Sequence, residues 1–285
     1  MPVMGKRKKG SRYDRIVIWG IIISVVAIAL ILWGPFHKMM KKAPERRPPV
    51  TAKKQDRQGR ERVISAVVAV VIDDLGQDLK PAQEVLDMPD HITLAVMPRL
   101  PQSKRIAELA RQGNREVLVH IPMQAKVRAE KRDAPGTLRL DMTPMELIAA
   151  VNEDLDSVPG AVGINNHEGS ALTENKQAMT FLMSELKSRN LFFLDSMTNA
   201  RSTAFAVAKE FGLKAAKRDV FLDNDSDRPA KIRRQFEELT RVAKQNGQAI
   251  GIGHPHPETI AELRNWLAKA DDEGIEIVPV SALVK

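Results

Sequence analysis

The sequence has no cysteine, which excludes disulfide staples, thiolate nucleophiles and Cys-ligated zinc, so any metal held by this chain must be held by His, Asp or Glu. Aromatic residues are scarce at 4%, too few for a surface that stacks bases. An acidic surplus is missing too: 44 Lys and Arg stand against 36 Asp and Glu, a net charge of +8. Much of that excess lies ahead of residue 62, at Lys6, Arg7, Lys8, Lys9, Arg12 and Arg15, then Lys38, Lys41, Lys42, Arg46, Arg47, Lys53 and Lys54, and the remainder is close to neutral. Basic charge confined to tails and linkers flanks membranes more often than it reads nucleic acid. No nucleic-acid partner is expected, and no internal repeat is visible.

What the chain does have is one long uncharged run, IVIWGIIISVVAIALILWGPF over residues 16–36. At ~1.5 Å per helical residue it reaches across a ~30 Å hydrocarbon layer, and Trp19 and Trp33 suit its two interfaces. A cleaved signal peptide would have a shorter apolar run, ~7–15 residues, and a small-residue cleavage site. The run therefore reads as a single transmembrane signal anchor. Residues 1–15 form a short basic N-terminus expected in the cytoplasm, which places the large domain outside the inner membrane, in the periplasm or extracytoplasmic space. The positive-inside rule barely decides this, because Arg and Lys flank both ends of the span. Residues 37–62, rich in Lys, Arg and Pro, read as a flexible linker, and residues 63–285 as one domain.

From residue 63 onward, short apolar runs alternate with amphipathic segments, the pattern of βα units around a largely parallel sheet or barrel. The expected strands are 64–72, 92–97, 116–121, 161–166, 191–195, 214–222, 248–253 and 275–280. The expected helices are 78–87, 102–112, 143–155, 174–189, 201–211, 229–246 and 257–272. Thr143-Pro144-Met145-Glu146 carries an N-cap, a first-turn Pro and a capping-box Glu, and Thr173-Glu174 opens another helix.

Five of these strands end in polar groups: Asp73 and Asp74 after VVAVVI, His120 after REVLV, Asn165, Asn166 and His167 after AVGI, Asp195 after LFFL, and His254 after QAIGIG. In parallel α/β folds the strand C-termini share one face, where ligands bind, so these residues converge on one cleft. Taken singly, each has a plainer reading. The Asp pair can cap a turn near Gly76, His120 can be a satisfied near-core histidine, Asp195 can cap the following segment, and His254-Pro255-His256-Pro257 can be a rigid loop with a solvated second His. The stretch from Asn165 to Ser170 favours function, since a row of hydrogen-bonding side chains before a Gly is costly to place in a core loop. Together the groups suit a divalent cation, Zn²⁺ or a similar ion, held by one carboxylate and two imidazoles. A second carboxylate then serves as base and a further imidazole as acid, which gives the adjacent carboxylates two separate jobs.

With Asp73-Asp74, His120 in VLVHIPMQ, the loop INNHEGS, the run FFLDS and the terminal GIGHPHP, the sequence resembles the divergent polysaccharide deacetylase family, distant relatives of the NodB-type carbohydrate deacetylases. The resemblance spans roughly residues 63–285. It implies a distorted (β/α) barrel and metal-dependent removal of acetyl groups from an N-acetylated sugar polymer. It also implies Asp73 as base, Asp74 as metal ligand, His120 as a second ligand and His254 as acid. NodB-type enzymes take two ligands from a His-x-x-x-His motif, but four residues after His120 this chain has Gln124; His167, on the next strand end, is the expected replacement. Asn165, Asn166, Ser170, Asp195, Gln124 and His256 are expected in supporting or substrate-binding positions.

The function expected is therefore that of a membrane-anchored metallohydrolase of the cell envelope acting on N-acetyl groups. The alternative is a non-catalytic envelope protein that binds glycan or a partner and keeps the metal as a structural or vestigial feature. A metal-dependent phosphatase fits less well, since the sequence lacks a Gly-rich phosphate cradle.

Overall fold

The computed structural model describes residues 52–55, 61–127, 133–224 and 228–285. The expected membrane span at 16–36, the N-terminus before it and most of the 37–62 linker lie outside these. Among the described residues no helix is long and apolar enough to cross a membrane. At the end of the expected flexible linker, Ala52–Gln55 (β1) pairs antiparallel with Glu61–Ile64 (β2).

The main sheet is parallel throughout and has nine strands: Ala66–Leu75 (β3), Thr93–Val96 (β4), Val117–Met123 (β5), Gly163–Glu168 (β6), Phe192–Asp195 (β7), Ala215–Lys217 (β8), Val220–Phe221 (β9), Gln248–Gly253 (β10) and Ile275–Ile277 (β11). Their order is β8-β7-β6-β5-β4-β3-β10-β9, with β11 alongside the first residues of β3. The single strand expected over 214–222 is two, and the reason bears on closure. β8 is one edge of the sheet and β9 the other, yet only Arg218 and Asp219 separate them. Arg218 N donates to Asp195 O at 3.0 Å on β7, and Asp219 N donates to Ile250 O at 2.9 Å on β10. The sheet therefore curls until its edges are bridged by two residues of chain. The expected barrel is an incomplete one, its seam crossed by backbone instead of a strand ladder.

Among the described residues, seven helices pack around the sheet: Leu79–Leu86 (α1), Ser103–Gln112 (α2), Pro144–Ser157 (α3), Lys176–Ser188 (α4), Ala204–Glu210 (α5), Pro229–Asn246 (α6) and Pro257–Ala270 (α7). The capping box of Thr143 and Glu146 opens α3 as its sequence requires. Thr173-Glu174 does not open α4. Those residues form a short 3₁₀ turn, and Asn175 is the cap, accepting from Ala178 N at 2.9 Å.

Side-chain alternation along the strands divides the core in two. On β3, Ala66, Val68, Val70 and Ile72 face the helices, whereas Ala69 and Val71 face inward with Leu118, Phe192, Leu194, Ile250 and Ile252. The chain end fills the base of that interior: Val280, Leu283 and Val284 belong to the inner cluster, and Lys285 pairs with Ala215. Counting upward in twos from the inner apolar residues reaches Asp73, His120, Asn165, Ser196 and His254, all at the open end. The inner face is thus apolar where the chain closes it and polar where it opens.

Candidate metal centre

Alternation alone cannot aim both Asp73 and Asp74 into the same space, because neighbours on a strand point to opposite faces. The β3–β4 register shifts between Ile72 and Leu75, and Asp74 adopts a left-handed φ of 57°. This bulge turns the second carboxylate back toward the first. Glu168, the last residue of β6, and Met197, two residues past β7, also have positive φ, 49° and 50°.

Asp74 Oδ1 lies 3.1 Å from His120 Nε2 and 2.9 Å from His167 Nδ1, and the two ring nitrogens are 3.3 Å apart. Atoms ~2.1 Å from a shared ion and separated by ~90–110° around it stand about 3.0–3.4 Å from one another, so this triad fits a divalent cation. One carboxylate and two imidazoles are also the donor chemistry such an ion takes. His167 reaches the cluster from the next strand. On adjacent β5 and β6, His120 is in register with Asn165, so His167 lies two residues further along the same face.

Asp73 is buried at 3% exposure. Its Oδ1 accepts from Asn165 Nδ2 at 2.8 Å, and its Oδ2 is 3.6 Å from His120 Nε2. From the end of the adjacent strand β10, His254 Nε2 is 3.7 Å from Asp74 Oδ2. Asp223 holds this ring: its Oδ1 is 3.0 Å from His254 Nδ1, and its Oδ2 accepts from His254 N at 2.6 Å and Thr259 Oγ1 at 2.8 Å. These groups open into a cavity of about 430 Å³ whose walls include Glu168, Thr198, Arg218 and Phe221.

The two carboxylates have different electrostatics. Burial pushes the Asp73 carboxyl up, against the pull of the His120 and His254 charges. Burial would raise Asp74 as well, but the hydrogen bonds from His120 and His167 prevail and hold it far below the usual carboxylate range. At His120, burial opposes the charged ring, yet the Asp73 charge and the Asp74 hydrogen bond raise it. At His254, burial again opposes charging, and the hydrogen bond to Asp223 with the charges of Asp74, Asp223 and Asp73 lifts it to about 9.

Not every expected site residue enters this cluster. Asn166 and Ser170 line the cavity, but Asn166 ties β6 to the next loop through Ser196 N at 2.9 Å, and Ser170 Oγ accepts from Lys126 N at 3.0 Å. Asp195 works as a loop cap, accepting from Met197 N through Oδ1 and from Ser202 Oγ and Phe205 N through Oδ2. The Gln124 carboxamide is taken up by the Leu140 backbone N–H at 2.8 Å. His256 is exposed at the start of α7, its ring centroid 5.8 Å from that of His254. Asp223, Arg218 and Ser196 are site residues that strand-end reasoning passed over. Asp223 carries the same signal as the others, an apolar run, Val220 to Leu222, ending in a carboxylate. Arg218 sits on the seam crossing, donates to Ser196 O at 2.7 Å and Met197 O at 3.0 Å, and stacks 4.4 Å over Phe221.

A curled parallel sheet with His and Asp donors gathered at the strand C-termini defines the class: an α/β fold with a candidate metal centre at the open end of the sheet. The family model described as divergent polysaccharide deacetylase matches residues 70–284, and the chain belongs to that family. It is 39% identical over 216 residues to an uncharacterized protein of Haemophilus influenzae, covering 76% of each chain. It is also 39% identical over 224 residues to the uncharacterized protein YibQ of Escherichia coli, covering 78% of this chain and 68% of that one. Among solved structures, an uncharacterized Agrobacterium tumefaciens protein is similar at 30% identity and a TM-score of 0.73, over 77% of this chain and 89% of that one.

Proposed function

We propose that this chain is a metal-dependent deacetylase that cleaves the amide C–N bond of N-acetyl groups on a sugar polymer. It carries Zn²⁺ on Asp74, His120 and His167. Residues 16–36 anchor it in the inner membrane as a single-pass protein, with residues 63–285 on the periplasmic or extracytoplasmic side. The observation that supports this reading best is three ligand atoms spaced for one ion with a carboxylate, Asp73, 3.6 Å from His120 and an imidazole, His254, 3.7 Å from Asp74.

Bound there, a divalent cation would polarise the acetyl carbonyl and favour ionisation of nearby acids. Asp73 presents Oδ2 to the same space, its Oδ1 being engaged by Asn165, and accepts the proton of the attacking water. The water oxygen bonds to the carbonyl carbon, the C–N bond breaks, and His254 delivers its proton to the leaving nitrogen. Asp223 fixes the ring through Nδ1, so Nε2 is the atom that faces the reaction. The products are acetate and a free amino sugar; the proton on Asp73 and the second water proton pass to solvent, from which His254 regains the proton it gave.

The test is acetate release from an N-acetylglucosamine oligomer by the purified chain with Zn²⁺, beside metal stoichiometry. Asp74→Asn is expected to lose the metal, because an amide is a poor partner for a divalent cation. Asp73→Asn is expected to keep it and to lose turnover by ~10²–10⁴. A wild-type chain that binds Zn²⁺ stoichiometrically and releases no acetate from any N-acetylated oligomer would overturn catalysis in favour of a non-catalytic glycan- or partner-binding protein.

A further inference from the structure

We propose that Asn165 is the positioning residue of the centre. It decides which nitrogen of His120 meets the ion and which oxygen of Asp73 meets the water, so the metal ligand and the base are set by one amide. The inference deepens the metal-centre reading above and rests on it.

Asn165 is fully buried and stands directly opposite His120 in the β5–β6 register, with its side chain on the inner face. Three polar groups surround its amide: Asp73 Oδ1 at 2.8 Å and Ser196 Oγ at 3.2 Å from Nδ2, and His120 Nδ1 at 2.9 Å from Oδ1. The amide nitrogen has acceptors on its side, Asp73 Oδ1 and Ser196 Oγ, while the amide oxygen faces one ring nitrogen; turning the amide over would set its oxygen against Asp73 Oδ1. With Nδ2 committed to Asp73, Oδ1 faces the His120 ring and can only accept, so His120 Nδ1 must carry a proton. Nε2, which lies at the Asp74 and His167 ligand atoms, is then the nitrogen whose lone pair would be given to the ion. An outer partner of this kind fixes the tautomer and the ring plane of a ligating histidine. Commonly that partner is a carboxylate or a backbone carbonyl; here it is an amide, whose other end holds the base.

Two unlike partners at the two ends of one amide predict two separable losses. Asn165→Leu removes both contacts at similar volume. It is expected to weaken Zn²⁺ binding ~10–100-fold and to abolish the exchange-protected Nδ1–H of His120 in the nitrogen-15 histidine spectrum of the Zn²⁺-loaded chain. Asn165→Asp keeps an acceptor for His120 but withdraws the donor from Asp73. It is expected to bind Zn²⁺ at least as tightly as wild type and to keep the protected Nδ1–H while acetate release falls. A residue that only filled space and satisfied buried groups would not divide the effects this way. Zn²⁺ affinity of Asn165→Leu within twofold of wild type, or equal losses of affinity in both variants, would overturn the proposal. If Asn165→Leu does not fold, the wild-type spectrum decides: a Zn²⁺-loaded chain whose His120 shows no protected Nδ1–H has no such hold on the ring. Failure of wild type to take up Zn²⁺ at all is a different result, and it removes the metal-centre reading itself.

Discussion

Asp223 shows how a single side chain can set a neighbour's chemistry without touching the reacting atoms. Its carboxylate accepts from the His254 backbone, the His254 ring and Thr259. Burial would raise its own pKa, but the hydrogen bond with His254 prevails and lowers it, so the ion pair persists at neutral pH. A charged His254 has a proton to give, and the pairing keeps Nε2 turned to the centre. Asp223→Asn removes the charge and keeps the shape. We expect it to cut turnover on the order of 10–100-fold, as loss of an orienting partner typically does, with metal stoichiometry unchanged. Equal loss of metal would instead place Asp223 among the ligands.

Elements bring these residues together, and one contact between elements should register pH directly. Asp154, on α3, is buried; Arg99, on the turn after β4, donates from Nε to its Oδ1 at 2.6 Å, while Oδ2 has no hydrogen-bond partner. Burial, against the pull of Arg99, raises the carboxyl to about 7. Because the folded chain then holds this proton more tightly than the unfolded one, the group favours folding most below pH ~4, and that contribution is lost as pH rises through about 7. Urea unfolding of wild type and Asp154→Asn at pH 5 and pH 8 checks this. The stability of wild type relative to the variant should fall between the two by on the order of a few kcal/mol, and a difference independent of pH would refute it. The bulge at Asp74 acts at the same scale: without the register shift on β3, one of the paired carboxylates would face the helices.

For the whole molecule, the curled sheet decides what meets what. β3 and β10 lie side by side although about 180 residues separate them in the chain, and this adjacency sets His254 across from Asp73 and Asp74. The proposed orientation in the membrane rests on the basic N-terminus and the apolar run at 16–36. A C-terminal alkaline phosphatase fusion in a Gram-negative host is expected to be active, and a stable but inactive fusion would place the domain in the cytoplasm.

The alternation of apolar runs and amphipathic helices determined the βα order, most element positions and the gathering of Asp73, Asp74, His120, His167 and His254 at strand ends, because burial and strand direction are local consequences of side-chain period. The resemblance of its motifs to known deacetylases supplied the roles. What the tertiary structure alone decided depends on contacts far apart in the chain. It split 214–222 at the seam and capped α4 with Asn175 instead of Thr173. It assigned Asp195 and Gln124 to holding loops. It also brought Asp223 to His254 and set Asn165 between His120 and Asp73. A carboxylate or amide at a strand end looks the same in sequence whether its hydrogen bonds go to its own loop or across the sheet. Only the packed strands show which.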